Sequence, residues 1–199
     1  MIDFLVTTKL PKHTKSLRLI SMNSSSCNFS LSLSGLGVLG VFRGALLCVF
    51  LLAGARAEIK VGGVFPALAS VGLVGEVPDT KDKILVVDFW ASWCAPCKAA
   101  FPALGKINAD YAARGVVLVG ISVDEKPAAY ADFVKKMAPT FLTLHDASQK
   151  LVRAVAVPAM PTTYLIGRDG KVRFIHAGYQ GESTDRILRT QIDKLLAAN

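Results

Sequence analysis

The sequence predicts an α/β fold, a central mixed β-sheet flanked by helices on both faces. Two apolar, β-rich runs, residues 84–90 and 116–123, read as strands buried on both faces, and a segment with helical spacing separates them. Further on, an Asp-Gly pair between two short β-rich stretches reads as a hairpin. Strand, helix and strand in that order make a parallel unit, and the hairpin adds antiparallel edge strands. No internal repeat interrupts the order.

Taken along the chain, residues 58–80 hold Gly62, Gly63, Gly72, Gly75 and two prolines, which predicts an irregular lead-in with room for one short strand. Residues 84–90, Ile-Leu-Val-Val-Asp-Phe-Trp, follow as the first buried strand. Residues 95–113 place Phe101, Leu104, Ile107 and Tyr111 on one helical face, and Gly115 ends the helix. After the second buried strand, residues 127–137 read as a helix, with Pro127 suited to its first turn. A short strand over 141–144 and a short helix over 148–155 come next. Residues 162–166 and 171–177 flank Arg168-Asp169-Gly170 as the hairpin strands. Residues 182–198 close the chain as an amphipathic helix with Ile187, Leu188, Ile192, Leu195 and Leu196 apolar.

The 199 residues are 52% apolar, enough to bury a core, which excludes a disordered chain; four cysteines are too few for a disulfide-stapled miniprotein. A formal charge of +8 raises nucleic acid or an acidic membrane as a partner, but the charge is unevenly placed. Residues 1–57 hold six basic residues, Lys9, Lys12, Lys15, Arg18, Arg43 and Arg56, against the single acid Asp3, so this stretch is +5 and the remainder +3. Seven serines fall within residues 21–34, and then Arg43 precedes an apolar run over 44–54 that ends in Ala55-Arg56-Ala57. A positive flank, about ten apolar residues and an Ala-x-Ala end are the parts of a secretory signal peptide, with cleavage after Ala57. The alternatives are a retained membrane anchor, which Arg43 interrupts, and an organellar transit segment; Met22 offers a second start. Cys48 follows Leu46-Leu47 and does not fit a lipoprotein anchor. The domain is therefore expected over residues 58–199, and it keeps two cysteines, Cys94 and Cys97.

Those two stand in Trp93-Cys94-Ala95-Pro96-Cys97-Lys98, where the first buried strand hands over to a helix. Two intervening residues put both thiols in the first helical turn, close enough for a short disulfide. Cys94 comes at the helix N-terminus, where unpaired N–H groups and the positive end of the macrodipole favour a thiolate. Cys94 is the natural nucleophile, and Cys97, one turn in, suits the resolving role. Pro96 restricts the loop between the sulfurs. The bland readings are half a zinc site or a structural disulfide. Zinc needs about four ligands, and beyond the pair the domain offers only His145 and His176, neither suitably spaced; a disulfide closing so short a loop adds little stability. Asp88 sits in the middle of an apolar strand, which predicts a raised pKa.

Val87-Asp88-Phe89-Trp90-Ala91-Ser92-Trp93-Cys94-Ala95-Pro96-Cys97-Lys98 resembles, nearly position by position, the active-site segment of the thioredoxin superfamily. Pro102 matches the proline inside that family's active-site helix, Met160-Pro161-Thr162 looks like its cis-proline segment, and residues 170–178 resemble its last hairpin strand and following glycine. Gly120-Ile121-Ser122-Val123-Asp124 and Pro161-Thr162-Thr163-Tyr164-Leu165-Ile166 before Asp169-Gly170 look most like TlpA/ResA-type proteins. The resemblance implies a thioredoxin-like fold and an extracytoplasmic thiol-disulfide oxidoreductase, acting as a reductase of protein disulfides, for example in cytochrome c or cytochrome oxidase maturation.

It also implies roles for single residues. Asp88 corresponds to the buried acid that exchanges protons with the second cysteine. Met160 would pair its backbone with an extended substrate, with Trp93, Pro96 and Pro161 completing the docking face. Gly120 stands where thioredoxin has a lysine, Ala100 where many TlpA/ResA-type proteins have a glutamate, and Ala91 where peroxiredoxins have a threonine. No cofactor or metal is called for. The partners expected are proteins carrying disulfides or dithiols and an upstream electron donor such as a membrane thiol reductase; nucleic acid is not among them, and a membrane is only if the leader is retained. The location expected is the periplasm or another extracytoplasmic space, with a periplasm-facing anchor or an organellar lumen as alternatives. A copper-handling or metal-delivery module using Cys94 and Cys97 is the competing function.

Overall fold

A computed structural model of the chain describes residues 58–198. The expected leader over residues 1–57, its apolar run and the cleavage point after Ala57 lie outside the described residues.

Strand β1, Ile84–Trp90, is buried at all seven positions, as a strand covered on both faces must be. A short loop then leads to helix α1, Ala95–Tyr111, whose buried residues include Phe101, Leu104, Ile107 and Tyr111. A turn of 3-10 helix over Ala112–Arg114 follows, and Gly115 stops it in the left-handed region at φ 84°. Strand β2, Val116–Ser122, runs parallel to β1, in a register that sets Asp88 beside Gly120. Helix α2, Pro127–Met137, leads to β3, Leu142–His145, parallel to β2. Helix α3, Lys150–Val155, crosses to β4, Thr162–Ile166, and β5, Val172–Ala177, returns antiparallel before α4, Glu182–Ala197.

The sheet order is β3-β2-β1-β4-β5. The hairpin therefore does not contribute two edge strands: β4 pairs antiparallel with β1 and is interior, and only β5 lies at an edge. Its connection is the five residues between Ile166 and Val172, with Gly170 at φ 74° and the Lys171 N–H donating to Asp169 Oδ1 at 3.2 Å. In the lead-in the short strand is not formed. Two isolated bridges, Val64 with Lys171 and Val74 with His145, and a 3-10 turn at Leu68–Ser70 stand instead. Glycine-rich chain that cannot hold a regular strand still buries Phe65 and Leu68.

The crossovers from β1 to β2 and from β2 to β3 step the same way, and right-handed connections then place α1 and α2 on one face. Trp90 shows this directly, its ring 5.2 Å from Phe101 of α1 and 4.7 Å from Phe133 of α2. Helix α4 joins that face, because His176 stands in register with Thr163, and Thr163 with Asp88, while His176 Nε2 lies 2.6 Å from Gln191 Oε1. On the other face Tyr164 packs 5.7 Å from both Phe65 and Phe89. The lead-in and α3 cover that side and are tied to each other by the Ile59 N–H to Val155 O bond. In α4, Leu188 and Ile192 turn inward, whereas Ile187, expected on the apolar stripe, is exposed. No helix of the described residues is long and apolar enough to cross a membrane.

Candidate active site

Cys94 is the N-cap of α1, with extended backbone, and its Sγ accepts the Cys97 N–H at 3.2 Å. Its sulfur is bonded to that of Cys97 at 2.02 Å, the two Cα atoms being 5.3 Å apart. Pro96 falls in the first turn, where its missing N–H has no helical acceptor to lose. Among the described residues Cys97 is fully buried and Cys94 is 4% exposed, so the pair is approached at Cys94. Trp93 beside it is 70% exposed, which excludes a core-packing role for that ring. Pro102 lies inside α1, at the fifth position after Cys97.

Two chain crossings join the cysteines at the same end of the sheet. Strand β4 runs antiparallel to β1, so its first residue, Thr162, pairs with Phe89 at the end of β1 that feeds the cysteine loop. Met160 and Pro161 precede it there, and the peptide bond between them is cis. Gly178 donates its N–H to Pro161 O at 2.7 Å, bringing the end of the hairpin to the same place. A groove of about 360 Å³ lined by Ser92, Trp93, Asp124 and Lys126 runs along the opposite side of the loop.

Asp88 lies under α1, two residues before Trp90 on the same face of β1 and 1% exposed. Its Oδ1 accepts the Thr163 hydroxyl at 2.7 Å, and Oδ2 has no partner among the described residues. Burial strips water from the carboxylate and pushes its pKa up to about 7, with the Thr163 bond pulling in the other direction. Gly120 on β2 brings no cation. A Cβ there would lie 2.9 Å from the Phe141 ring and 3.0 Å from Trp90 Nε1, so the space a lysine would need is filled by aromatic rings.

One acid near the cysteines has no role that the sequence predicts. Asp124, two residues beyond β2, is 3% exposed, and its carboxylate gathers the loop ahead of Cys94. Ser92 donates its hydroxyl to Oδ1 at 2.8 Å and shares its N–H between both oxygens at 3.1 Å, while Ser122 Oγ donates to Oδ2 at 2.8 Å. The Asp124 carbonyl lies 2.7 Å from His145 Nε2, which ties the same corner to β3. The available signal was positional: an acid at the carboxyl end of a parallel strand next to β1, the end where α/β sheets gather their ligand sites. Among the described residues no group of three or more His, Cys, Asp or Glu side chains is placed to hold a metal ion.

The Redoxin family model matches residues 65–192. The chain belongs to the Redoxin family. Within that family it is similar to the thiol-disulfide oxidoreductase ResA of Bacillus thuringiensis strain Al Hakam, 30% identical over 59% of this chain and 69% of the relative. It is 33% identical to ResA of Bacillus subtilis strain 168, over 54% of this chain and 60% of the relative. Among solved structures, a chain from Chlorobium tepidum described as a thiol:disulfide interchange protein DsbE superposes with a TM-score of 0.64 at 30% identity, covering 70% of this chain and 99% of that one. This redoxin is thus a thiol-disulfide oxidoreductase with a thioredoxin-like fold, of the ResA-like kind.

Proposed function

We propose that this oxidoreductase is a reductase of protein disulfides working outside the cytoplasm, with Cys94 and Cys97 as its redox couple. The observation that carries the reading is the placement of the pair: Cys94 caps α1 next to exposed Trp93, and Cys97 is buried behind it on the helix that covers Asp88. The Cys94 thiolate attacks a substrate disulfide and forms a mixed disulfide, releasing one substrate thiolate. Cys97 then gives its proton to Asp88 and attacks Cys94 Sγ; the Cys94–Cys97 bond forms, the bond to substrate breaks, and two electrons leave with the second substrate thiolate. Met160 and Pro161, with Trp93 and Pro96, form the docking face for an extended segment of the substrate.

The domain is residues 58–199, and residues 1–57 are an export segment cleaved after Ala57, which supports a periplasmic or equivalent location. The resemblance of the Cys94 and Pro161 segments to TlpA/ResA-type proteins supports a place in cytochrome c or oxidase maturation, with a membrane thiol reductase recharging the couple. The test uses the full chain with an insulin disulfide as substrate. Cys97→Ser is expected to accumulate the mixed disulfide, and Cys94→Ser to form none; trapping by Cys94→Ser instead would reverse the two roles. The direction is read from the reduction potential, expected at or below about −270 mV, whereas a value near about −120 mV would make the protein an oxidant.

A further inference from the structure

The Thr163 hydroxyl is the one hydrogen-bond partner of the Asp88 carboxyl group among the described residues, and it reaches only Oδ1. Thr163 is itself buried, directly opposite Asp88 in the β1–β4 register. On the other side Gly120 supplies no side chain, and Trp90 and Phe141 close the space. A hydroxyl can donate to Oδ1 whether the carboxyl is ionised or carries its proton on Oδ2. A proton on Oδ1 would instead turn that bond round, the carboxyl O–H donating to the hydroxyl oxygen and the hydroxyl's own proton losing its acceptor. We propose that Thr163 is a positioning residue for the resolving step: its hydroxyl holds Oδ1 and leaves Oδ2 as the oxygen that takes the Cys97 proton. This rests on the reading of Asp88 as the proton acceptor of Cys97.

In that step the proton passes from Cys97 Sγ to Asp88 Oδ2 as the Cys97 sulfur bonds to Cys94 Sγ. The disulfide to substrate breaks, and its electron pair leaves on the substrate sulfur, which takes a proton from solvent. The Thr163 bond to Oδ1 persists throughout. Because a donated hydrogen bond favours the charged carboxylate, Thr163 keeps Asp88 available as a base at lower pH than burial alone would permit. The titratable groups on the elements packed over this face of the sheet include Cys97 on α1, Tyr130 on α2 against the Trp90 ring, and His176 on β5, one strand beyond Thr163 and held by Gln191 of α4. Strands β1 and β2 add none on this face at that level, and the influences on Asp88 are burial and the Thr163 bond.

The experiment uses the oxidised full chain, in which the cysteines do not titrate, with aspartate labelled at its carboxyl carbon and followed by NMR against pH. Asp88→Asn identifies the Asp88 signal. Its midpoint is expected near 7 in the parent. Thr163→Val is expected to move it upward by about one pH unit, and Thr163→Ser, which keeps the hydroxyl, to leave it within a few tenths. Thr163→Ala also lacks the hydroxyl and must shift the midpoint in the same direction, so the result does not depend on how well valine packs. In single turnovers with a small disulfide, the pH profile of mixed-disulfide release should move with the midpoint, and that of the initial attack should stay. An unmoved midpoint in both hydroxyl-free variants overturns the proposal. Asp88→Asn in the same assay tests the underlying reading separately: equal slowing of both steps, or of neither, removes Asp88 as the acceptor whatever Thr163 does to its titration.

Discussion

Asp124 has a carboxylate that accepts from the Ser92 N–H, the Ser92 hydroxyl and the Ser122 hydroxyl while almost wholly out of water. Deleting it leaves these donors without their acceptor and frees the segment two residues before Cys94. Asp124→Ala is therefore expected to lower unfolding stability by roughly 2–4 kcal/mol, read by urea denaturation, and to slow the initial attack of Cys94 on a disulfide. Ser92→Ala keeps the backbone bond to Asp124 and should lose less on both measures; a Ser92→Ala defect as large as that of Asp124→Ala would put the effect in the hydroxyl alone. Cys94, Cys97 and Asp88 were legible in the sequence because their surroundings are local: a strand, a turn and a helix start follow one another without a break. Asp124 and Thr163 were not, because each acts on a group 32 or 75 positions away. Such meetings are set by strand register, which no local pattern records.

An element is legible in the sequence in proportion to how much its own residues decide it. Strands β1 and β2 announced themselves as apolar runs, and α1 began where the cysteine motif and its face of Phe101, Leu104, Ile107 and Tyr111 put it. The sequence puts β4 at an edge, whereas the structure holds it inside the sheet, because its neighbour is chosen by the sheet rather than by Thr162–Ile166. Strand β3 starts one residue late for a related reason: Phe141 turns inward, its ring 5.1 Å from Phe101. That aromatic cluster also explains Gly120, whose place in a strand otherwise made mostly of β-branched residues carries no turn or positive φ. The methyl of Gly120→Ala would press on the Phe141 and Trp90 rings at 2.9 and 3.0 Å, closer than van der Waals contact allows. The variant is expected to unfold at lower urea with an unchanged slope, a loss of about 1–3 kcal/mol, with its thiol chemistry retained. A neutral result would mean that the rings can move aside, and the route beside Asp88 would then be less closed than the packing indicates.

For the molecule as a whole, the cost of keeping an acid beneath α1 should be visible in stability against pH. Asp88 has a folded-state pKa near 7 against an ordinary value of 3.8. Between those two values the native protein holds a proton that the unfolded chain has released. Stability from the protonated carboxyl is thus fully present below about pH 4, declines as pH rises, and is gone once pH passes the folded-state value. Every pH unit that separates the two values is worth about 1.4 kcal/mol, so the full decline is ~4 kcal/mol. Asparagine at this position has no proton to lose and removes that slope, while every other titrating group is common to both proteins and cancels in the comparison. Measured on the oxidised full chain by denaturant unfolding, Asp88→Asn should gain on the parent steadily from about pH 4 to about pH 7.5 and then hold a constant lead. A difference between the two that does not change over this range would mean that Asp88 titrates near its ordinary value. It would then be ionised throughout neutral pH but too weak a base to take the Cys97 proton as the couple turns over.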